Sequence, residues 1–274
     1  MSTAAASDGQ ILRQSFQTSD GVRLSFLETG AEHVAEGTLA IAFITGWSMP
    51  ASLWRKQLAE LGQNYHALAL DPRGQGESEI PAAGYTAERR ATDINEFLRP
   101  LTRILLIGWS LGALESLQYV QMFGSDRLAG LALVDSSVGE EPAPAAGGGG
   151  AFVKELRRDR RKALSQFIHA IFKTRQRDAD LDKLIHGAQQ MTLEDSIALL
   201  SYPFPRTHWK QIAHAFTKPL LYVVTPQFEA QAHNLQKNRP HTQIEVFASA
   251  GHALFVDEPD RFNGLIEKFA KSLP

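Results

Sequence analysis

Short apolar runs and amphipathic segments alternate along most of the chain, and this alternation limits the folds open to it more than any other feature. Runs such as LAIAFI (39–44) and RILLIG (103–108) are almost entirely apolar, as strands buried on both faces of a sheet are. The segments between them have the length and periodicity of helices. The pattern predicts an α/β fold with a mostly parallel sheet and helices on both of its faces.

Eight strands and five helices are predicted for the sheet and its covering layers. The predicted strands are 11–18, 22–29, 39–45, 66–70, 103–107, 129–134, 219–224 and 243–247. The predicted helices are 52–62, 84–98, 111–124, 228–237 and 258–272. The first two strands flank the turn sequence TSDG (18–21), so we expect them to form an antiparallel hairpin.

One long segment interrupts the alternation. Residues 139–150 (GEEPAPAAGGGG) contain only Pro, Gly, Ala and acidic side chains, a composition typical of a flexible linker. From there to about residue 216 no strand pattern appears. We therefore predict a core domain made of 1–135 and 217–274, with a helical cap, 136–216, inserted after the sixth strand.

Composition excludes several classes of function. The 274 residues contain 28 Lys and Arg against 30 Asp and Glu, a net charge of -2, which gives no field suited to nucleic acid or an anionic membrane. The basic run KELRRDRRK (154–162) precedes apolar residues at near-helical spacing, so it is interpreted as the solvated face of a cap helix. The chain has no cysteine, which excludes disulfides, thiolate catalysis and cysteine-ligated metals.

The start of the chain and its apolar runs bear on location. MSTAAASDGQ lacks the basic and apolar regions of a secretory signal, and no apolar run approaches the roughly 20 residues that span a bilayer. We expect a cytoplasmic protein whose partner is a small-molecule substrate, with no binding to nucleic acid or membrane.

A Gly-x-Ser-x-Gly motif, GWSLG, occupies residues 108–112. It follows a buried-type strand and precedes the amphipathic segment LGALESLQYVQMF (111–123). A sharp strand-to-helix turn of this kind lifts the serine hydroxyl above the sheet, and glycines are needed where a Cβ would meet neighbouring backbone. The free N–H groups at the helix start favour a developing oxyanion. The motif therefore predicts Ser110 as a nucleophile for acyl transfer.

Three further motifs complete a resemblance to the α/β-hydrolase family, in the branch of small esterases, perhydrolases and carbon–carbon bond hydrolases. ITGWSMP (44–50) stands where the family has a strand followed by His-Gly, with Thr45 replacing the histidine. DPRGQGES (71–78) matches the family's loop after its next strand, and its Asp71 and Arg73 are interpreted as structural. SAGHALFVDEPDRFN (249–263) resembles the family's histidine loop.

The resemblance implies roles for particular residues. His252 would be the base that takes the serine proton, a task suited to imidazole. The backbone N–H groups of Trp47 and Leu111 would form the oxyanion hole. Trp47, Met49 and Trp109 flank these loops and are candidates for an apolar substrate pocket. No metal ligand pattern is present among the histidines, and no metal or organic cofactor is expected.

The position of the triad acid is open between two residues. The loop after the seventh predicted strand, PLLYVVTPQFEAQA (219–232), has no Asp where the family usually carries one. Some family members carry the acid at the end of the sixth strand, where this chain has Asp135, and Asp135 is the favoured acid. Glu229 is the alternative acid, although at the start of a helix it also suits the helix dipole.

These residues predict a serine hydrolase that cleaves a small, largely apolar carboxylic ester through an acyl-serine intermediate. Carbon–carbon bond hydrolases, perhydrolases and lactonases use the same side chains, so they remain alternatives within the family. A degenerate hydrolase-fold module that only binds a small ligand is the non-enzymatic alternative.

Overall fold

A computed structural model describes residues 10–35, 37–143 and 148–274. Eight strands form one sheet in the order β1-β2-β4-β3-β5-β6-β7-β8. They are β1 (Leu12–Gln17), β2 (Arg23–Thr29), β3 (Ala40–Ile44), β4 (His66–Asp71), β5 (Ile104–Trp109), β6 (Leu128–Val134), β7 (Leu220–Val224) and β8 (Gln243–Val246). The pair β1–β2 is antiparallel, as the turn sequence predicts, β2–β4 is also antiparallel, and all other pairs are parallel.

Helices cover both faces of the sheet, so the predicted α/β-hydrolase fold class is confirmed. Six of these helices lie outside the segment between β6 and β7: α1 (Arg55–Leu61), α2 (Ala87–Phe97), α3 (Leu111–Phe123), α9 (Glu229–Asn238), α10 (Leu254–Asp257) and α11 (Pro259–Lys271). Every residue of β3 to β7 is buried, which explains their apolar sequences. Two separate hydrophobic clusters lie on the two faces, one including α1 and α11 and the other including α2 and α3.

Among the described residues between β6 and β7, in the segment predicted as a cap, there are five helices. They are α4 (Gly148–Arg158), α5 (Arg160–Ala170), α6 (Asp178–Ala188), α7 (Leu193–Leu200) and α8 (Arg206–Ala215). The predicted linker 139–150 is too long, because α4 already begins at Gly148; its residues 144–147 lie outside the described residues. The division into a core domain and an inserted cap stays a prediction.

The basic run at 154–162 spans the end of one helix and the start of the next. Asp159 separates α4 from α5, and its side chain accepts a hydrogen bond from the backbone N–H of Lys162, as an N-cap residue does. The single helix inferred from apolar spacing is therefore two helices. Arg157 pairs with Glu194, and Arg158 with Glu155, so part of the basic charge is balanced within the cap segment.

Among the described helices, none is both long enough and apolar enough to cross a membrane.

Candidate active site

Ser110 lies at the junction between β5 and α3. Its backbone has φ 56° and ψ -120°, a conformation that costs a non-glycine residue about 1 to 3 kcal/mol. The backbone N–H of Ser110 donates to the carbonyl of Val134 at 2.8 Å, which ties the turn to the end of β6. The sharp turn leaves Ser110 half-buried between a buried strand and a buried helix, as the GWSLG motif predicts.

Glycines allow three backbone segments to meet around this serine. A Cβ on Gly108 would lie 2.4 Å from the carbonyl oxygen of Gly112, and a Cβ on Gly112 would lie 2.5 Å from that of Ile44. A Cβ on Gly46 would lie 3.0 Å from the Cβ of Ser110. The loop after β3 therefore packs directly against the nucleophile turn because Gly46 and Gly112 carry no side chain.

Replacing Gly112 by Ala is expected to cost about 3 kcal/mol of folding free energy or more, because the new methyl group meets rigid backbone oxygens. Gly264→Ala is the matched control, since a Cβ at this position of α11 meets nothing within 4 Å. That change should stabilise the protein by about 0.5 to 1 kcal/mol. Urea unfolding of both variants measures the contrast; equal effects would contradict the packing described here.

The three side chains predicted as a triad lie in one continuous series of contacts. The Oγ of Ser110 is 2.9 Å from the Nε2 of His252. The Nδ1 of the same ring is 2.7 Å from the Oδ2 of Asp135. The carboxylate is fully buried, whereas the imidazole side chain is 25% exposed, so the reactive end of the series faces accessible space and the acidic end does not.

Asp135 is fixed from several sides. It follows β6 directly, with φ 44°, and its backbone N–H donates to the carbonyl of Val223 at 2.8 Å. Its Oδ1 accepts from the backbone N–H of Thr225 at 2.6 Å and from the Thr225 hydroxyl at 2.8 Å. Thr225 thus holds one carboxylate oxygen and leaves the other for His252, a role that the sequence did not predict. Burial, together with the charge of Asp135, raises the pKa of the Tyr222 phenol.

Glu229, the alternative acid, is not part of this arrangement. It is the first residue of α9, its side chain is 48% exposed, and its carboxylate lies 3.7 Å from the imidazole of His233. Its exposed position at the start of α9 is one where a carboxylate interacts favourably with the helix dipole.

The loop after β3 carries Trp47, one of the two predicted oxyanion donors. Its indole Nε1 donates to the carbonyl of Ser196 in the cap segment at 2.7 Å, and its ring lies edge-on to Phe152 and Phe167, with centroids 5.5 Å from each. Ser48 follows with φ 58°, in a turn where the backbone N–H of Met49 donates to the carbonyl of Gly46 at 3.2 Å. Leu111, the other predicted donor, is the first residue of α3.

The side chains proposed to line a pocket are all buried. Met49 has no exposed surface, and Trp109 is 1% exposed. The indole Nε1 of Trp109 donates to the backbone carbonyl of His252 at 2.8 Å, and its ring centroid lies 5.2 Å from that of the imidazole. Trp109 therefore packs behind the histidine. Among the described residues, no group of three or more His, Asp or Glu side chains is placed to hold a metal ion.

The family model described as the alpha/beta hydrolase family matches residues 41–265. The chain belongs to this family. Among curated proteins, this α/β hydrolase is 24% identical to the AB hydrolase superfamily protein YisY of Bacillus subtilis, over 85% of this chain and 91% of that protein. It is also 24% identical to a pimeloyl-[acyl-carrier protein] methyl ester esterase of Yersinia enterocolitica, over 86% of this chain and 95% of the esterase.

A similar fold is found among solved structures. An esterase from Exiguobacterium antarcticum superposes with a TM-score of 0.79 at 22% sequence identity, covering 94% of this chain and 99% of the esterase. At this identity the likeness bears on the fold alone. Together with the family match, it confirms the resemblance inferred from the GWSLG, DPRGQGES and histidine-loop motifs.

In this α/β hydrolase, Asp257 fastens the histidine loop to the cap segment. Its carboxylate accepts from the backbone N–H groups of Gly251, Lys173 and Thr174 at 2.8 to 2.9 Å, and from the Thr174 hydroxyl at 2.5 Å. Desolvation raises the pKa of Asp257, but the hydrogen bonds from Thr174, Lys173 and Gly251 outweigh it and lower the pKa below its ordinary value. The ionised carboxylate is therefore the form that holds the loop.

Asp257→Asn is expected to lower the free energy of unfolding by about 1 to 2 kcal/mol at neutral pH, because one charged acceptor serves four donors. A depressed folded-state pKa contributes stability above the unfolded pKa and loses it as pH falls through the folded value. The difference from wild type should therefore shrink in acid. Urea midpoints at pH 7 and pH 3, with the exposed Asp260→Asn as control, measure it; a difference that grows in acid would contradict the assignment.

Proposed function

We propose that this α/β hydrolase cleaves small carboxylic esters through a covalent acyl-Ser110 intermediate. The observation that carries the proposal is the unbroken contact series from the Ser110 hydroxyl through the His252 ring to the Asp135 carboxylate, at 2.9 and 2.7 Å. A hydroxyl, an imidazole and a buried carboxylate in this order form the arrangement that activates a serine for attack on a carbonyl. The esterases among the proteins with similar sequence or fold also support it.

In the proposed acylation step, the Oγ of Ser110 bonds to the ester carbonyl carbon while its proton passes to the Nε2 of His252. The carbonyl π pair moves onto oxygen and forms the oxyanion. When that pair returns, the bond to the alcohol oxygen breaks, and His252 gives its proton to the departing alcohol. Asp135 keeps the Nδ1 proton in place and stabilises the imidazolium.

Deacylation repeats these steps with water in place of the serine hydroxyl. His252 takes a proton from water as its oxygen attacks the acyl carbon, and the proton then returns to the Oγ of Ser110 as the acid leaves. The backbone N–H groups of Trp47 and Leu111 are the proposed oxyanion donors in both steps. Each such donor contributes about 3 kcal/mol to transition-state stabilisation in comparable enzymes.

The proposed substrate is small and largely apolar. Trp47, Phe152 and Phe167 form an aromatic cluster beside the proposed oxyanion loop. Apolar walls with few polar groups favour an uncharged acyl chain or an aromatic group.

The test is hydrolysis of p-nitrophenyl esters with acyl chains of two to twelve carbons by the wild-type protein. Turnover that peaks at short or medium chains is expected, and the position of the peak measures the size of the acyl site. An absence of turnover with every ester would contradict the proposal.

Two other reactions use the same side chains, and their substrates distinguish them from ester hydrolysis. A carbon–carbon bond hydrolase would turn over a β-diketone more efficiently than any ester, and a perhydrolase would transfer the acyl group to hydrogen peroxide in preference to water. A module that only binds ligand would turn over none of these. Parallel assays with p-nitrophenyl acetate, a β-diketone, and acetate with peroxide decide between them.

A further inference from the structure

Gln75 lies between the proposed oxyanion loop and a buried charged pair, and it is 2% exposed. Its Nε2 is 2.9 Å from the backbone carbonyl of Gly46 and 2.9 Å from that of Met49. Its Oε1 accepts from Nη2 of Arg90 at 3.1 Å. A guanidinium only donates hydrogen bonds, so Arg90 fixes which end of the amide carries oxygen. Both amide hydrogens must then point at the loop.

The carbonyl of Gly46 and the N–H of Trp47 belong to the same peptide unit, so the contact of Gln75 with that carbonyl also affects the N–H. A trans peptide is planar, and its C=O and N–H point in opposite directions. A donor that holds the carbonyl of Gly46 therefore also sets the direction of the N–H of Trp47, the proposed oxyanion donor. Accepting a hydrogen bond at the carbonyl also polarises the same peptide, which strengthens its N–H as a donor.

Arg90 is held in turn by a residue of the nucleophile helix. Its Nε is 2.9 Å from Oε1 of Glu115 on α3, and both side chains are 1% exposed. The hydroxyl of Tyr202, from the segment between α7 and α8, donates to the same Oε1 at 2.8 Å. The amide of Gln75 is thus held in place by a buried hydrogen-bond network that joins α2, α3 and the cap segment.

We propose that Gln75 is a positioning residue that orients the Gly46–Trp47 peptide for oxyanion binding. This inference rests on the proposed function, because it assigns a role within that reaction. The family's usual histidine at position 45 is replaced by Thr45, whose hydroxyl makes no hydrogen bond among the described residues. The side chain that restrains this loop comes instead from the DPRGQGES segment, 29 residues further along the chain.

Gln75→Met keeps the length of the side chain and removes both donors. We expect kcat for p-nitrophenyl acetate to fall by about 10- to 100-fold, less than the roughly 100- to 1,000-fold loss when an oxyanion donor is itself removed. KM should change by less than about threefold, since the lost interaction matters in the transition state. The rate of Ser110 labelling by a fluorophosphonate should fall in parallel with kcat.

Gln231→Met is the matched control. Gln231 is also 2% exposed, and its amide donates to the carbonyl of Pro142 and accepts from the hydroxyl of Ser137. Both changes should lower the melting temperature, but only Gln75→Met should lower kcat in assays well below that temperature. Gln75→Glu is the second variant: it keeps volume and a partner for Arg90, yet it has no N–H for Gly46 and should lose as much kcat.

The outcomes separate the two proposals. If wild type hydrolyses esters and labels at Ser110 while Gln75→Met and Gln75→Glu keep wild-type kcat, the role of Gln75 is wrong and the proposed function stands. A kcat loss of equal size in Gln231→Met would also overturn that role, because it would trace the effect to general destabilisation. If wild type neither turns over esters nor labels, the proposed function is wrong, and the role of Gln75 falls with it.

Discussion

Ser110→Ala is expected to lower kcat for p-nitrophenyl acetate by roughly a million-fold, as loss of the nucleophile does in a serine protease. The variant keeps the backbone of the turn and the contacts of the neighbouring glycines, and it removes only the oxygen that attacks. What remains is the small acceleration that binding and oxyanion donors give to attack by water. Steady-state release of p-nitrophenol measures the change.

Ser116→Ala is the control for that experiment. It removes a hydroxyl from the same helix, where the Oγ donates to the carbonyl of Gly112 at 2.7 Å, and it should leave kcat unchanged. Retention of more than a tenth of wild-type kcat in Ser110→Ala would contradict the proposed nucleophile.

Asp135→Asn is expected to lower kcat by about 10,000-fold, with the fold intact. The backbone N–H of Thr225 donates to Oδ1, so the oxygen of the asparagine must stay on that side and its NH₂ group must face His252. The Nδ1 of the ring then has to accept a hydrogen bond, which moves the ring proton to Nε2. In that tautomer the imidazole cannot take the proton of Ser110.

Glu229→Gln is the matched carboxylate-to-amide change and is expected to be nearly silent, because this side chain is half-exposed and contacts His233. Steady-state kinetics of both variants between pH 6 and pH 9 compare them. The reverse ranking would move the acid to the loop after β7.

The strands were predictable because burial on both faces leaves a continuous apolar run that turn residues interrupt. Predicted and observed strand ends agree within two residues, as for 103–107 against Ile104–Trp109. Helix divisions were harder to predict. The break at Asp159 depends on one capping hydrogen bond, and the apolar spacing continues through it. Helix α4 starts within a glycine run that composition alone assigns to a linker.

The residues of the candidate site also differ in whether the sequence predicts them. Ser110 and His252 stand in local motifs, so sequence alone selects them. The contacts of Thr225 and Gln75 join segments far apart in the chain, 90 residues from Asp135 in one case and 29 from Gly46 in the other. Arg90 and Glu115 look like surface charges of amphipathic helices, and only the packing of α2 against α3 shows that they are buried together.

The most direct test of the central claim is the site of covalent modification by a fluorophosphonate. Wild-type protein is labelled, digested with trypsin and analysed by tandem mass spectrometry, and Ser110→Ala is treated in parallel. We expect one adduct, in the peptide 104–127, located on Ser110 and absent from Ser116 and Ser125 of the same peptide. An unlabelled wild type, or an adduct that persists in Ser110→Ala, would contradict it.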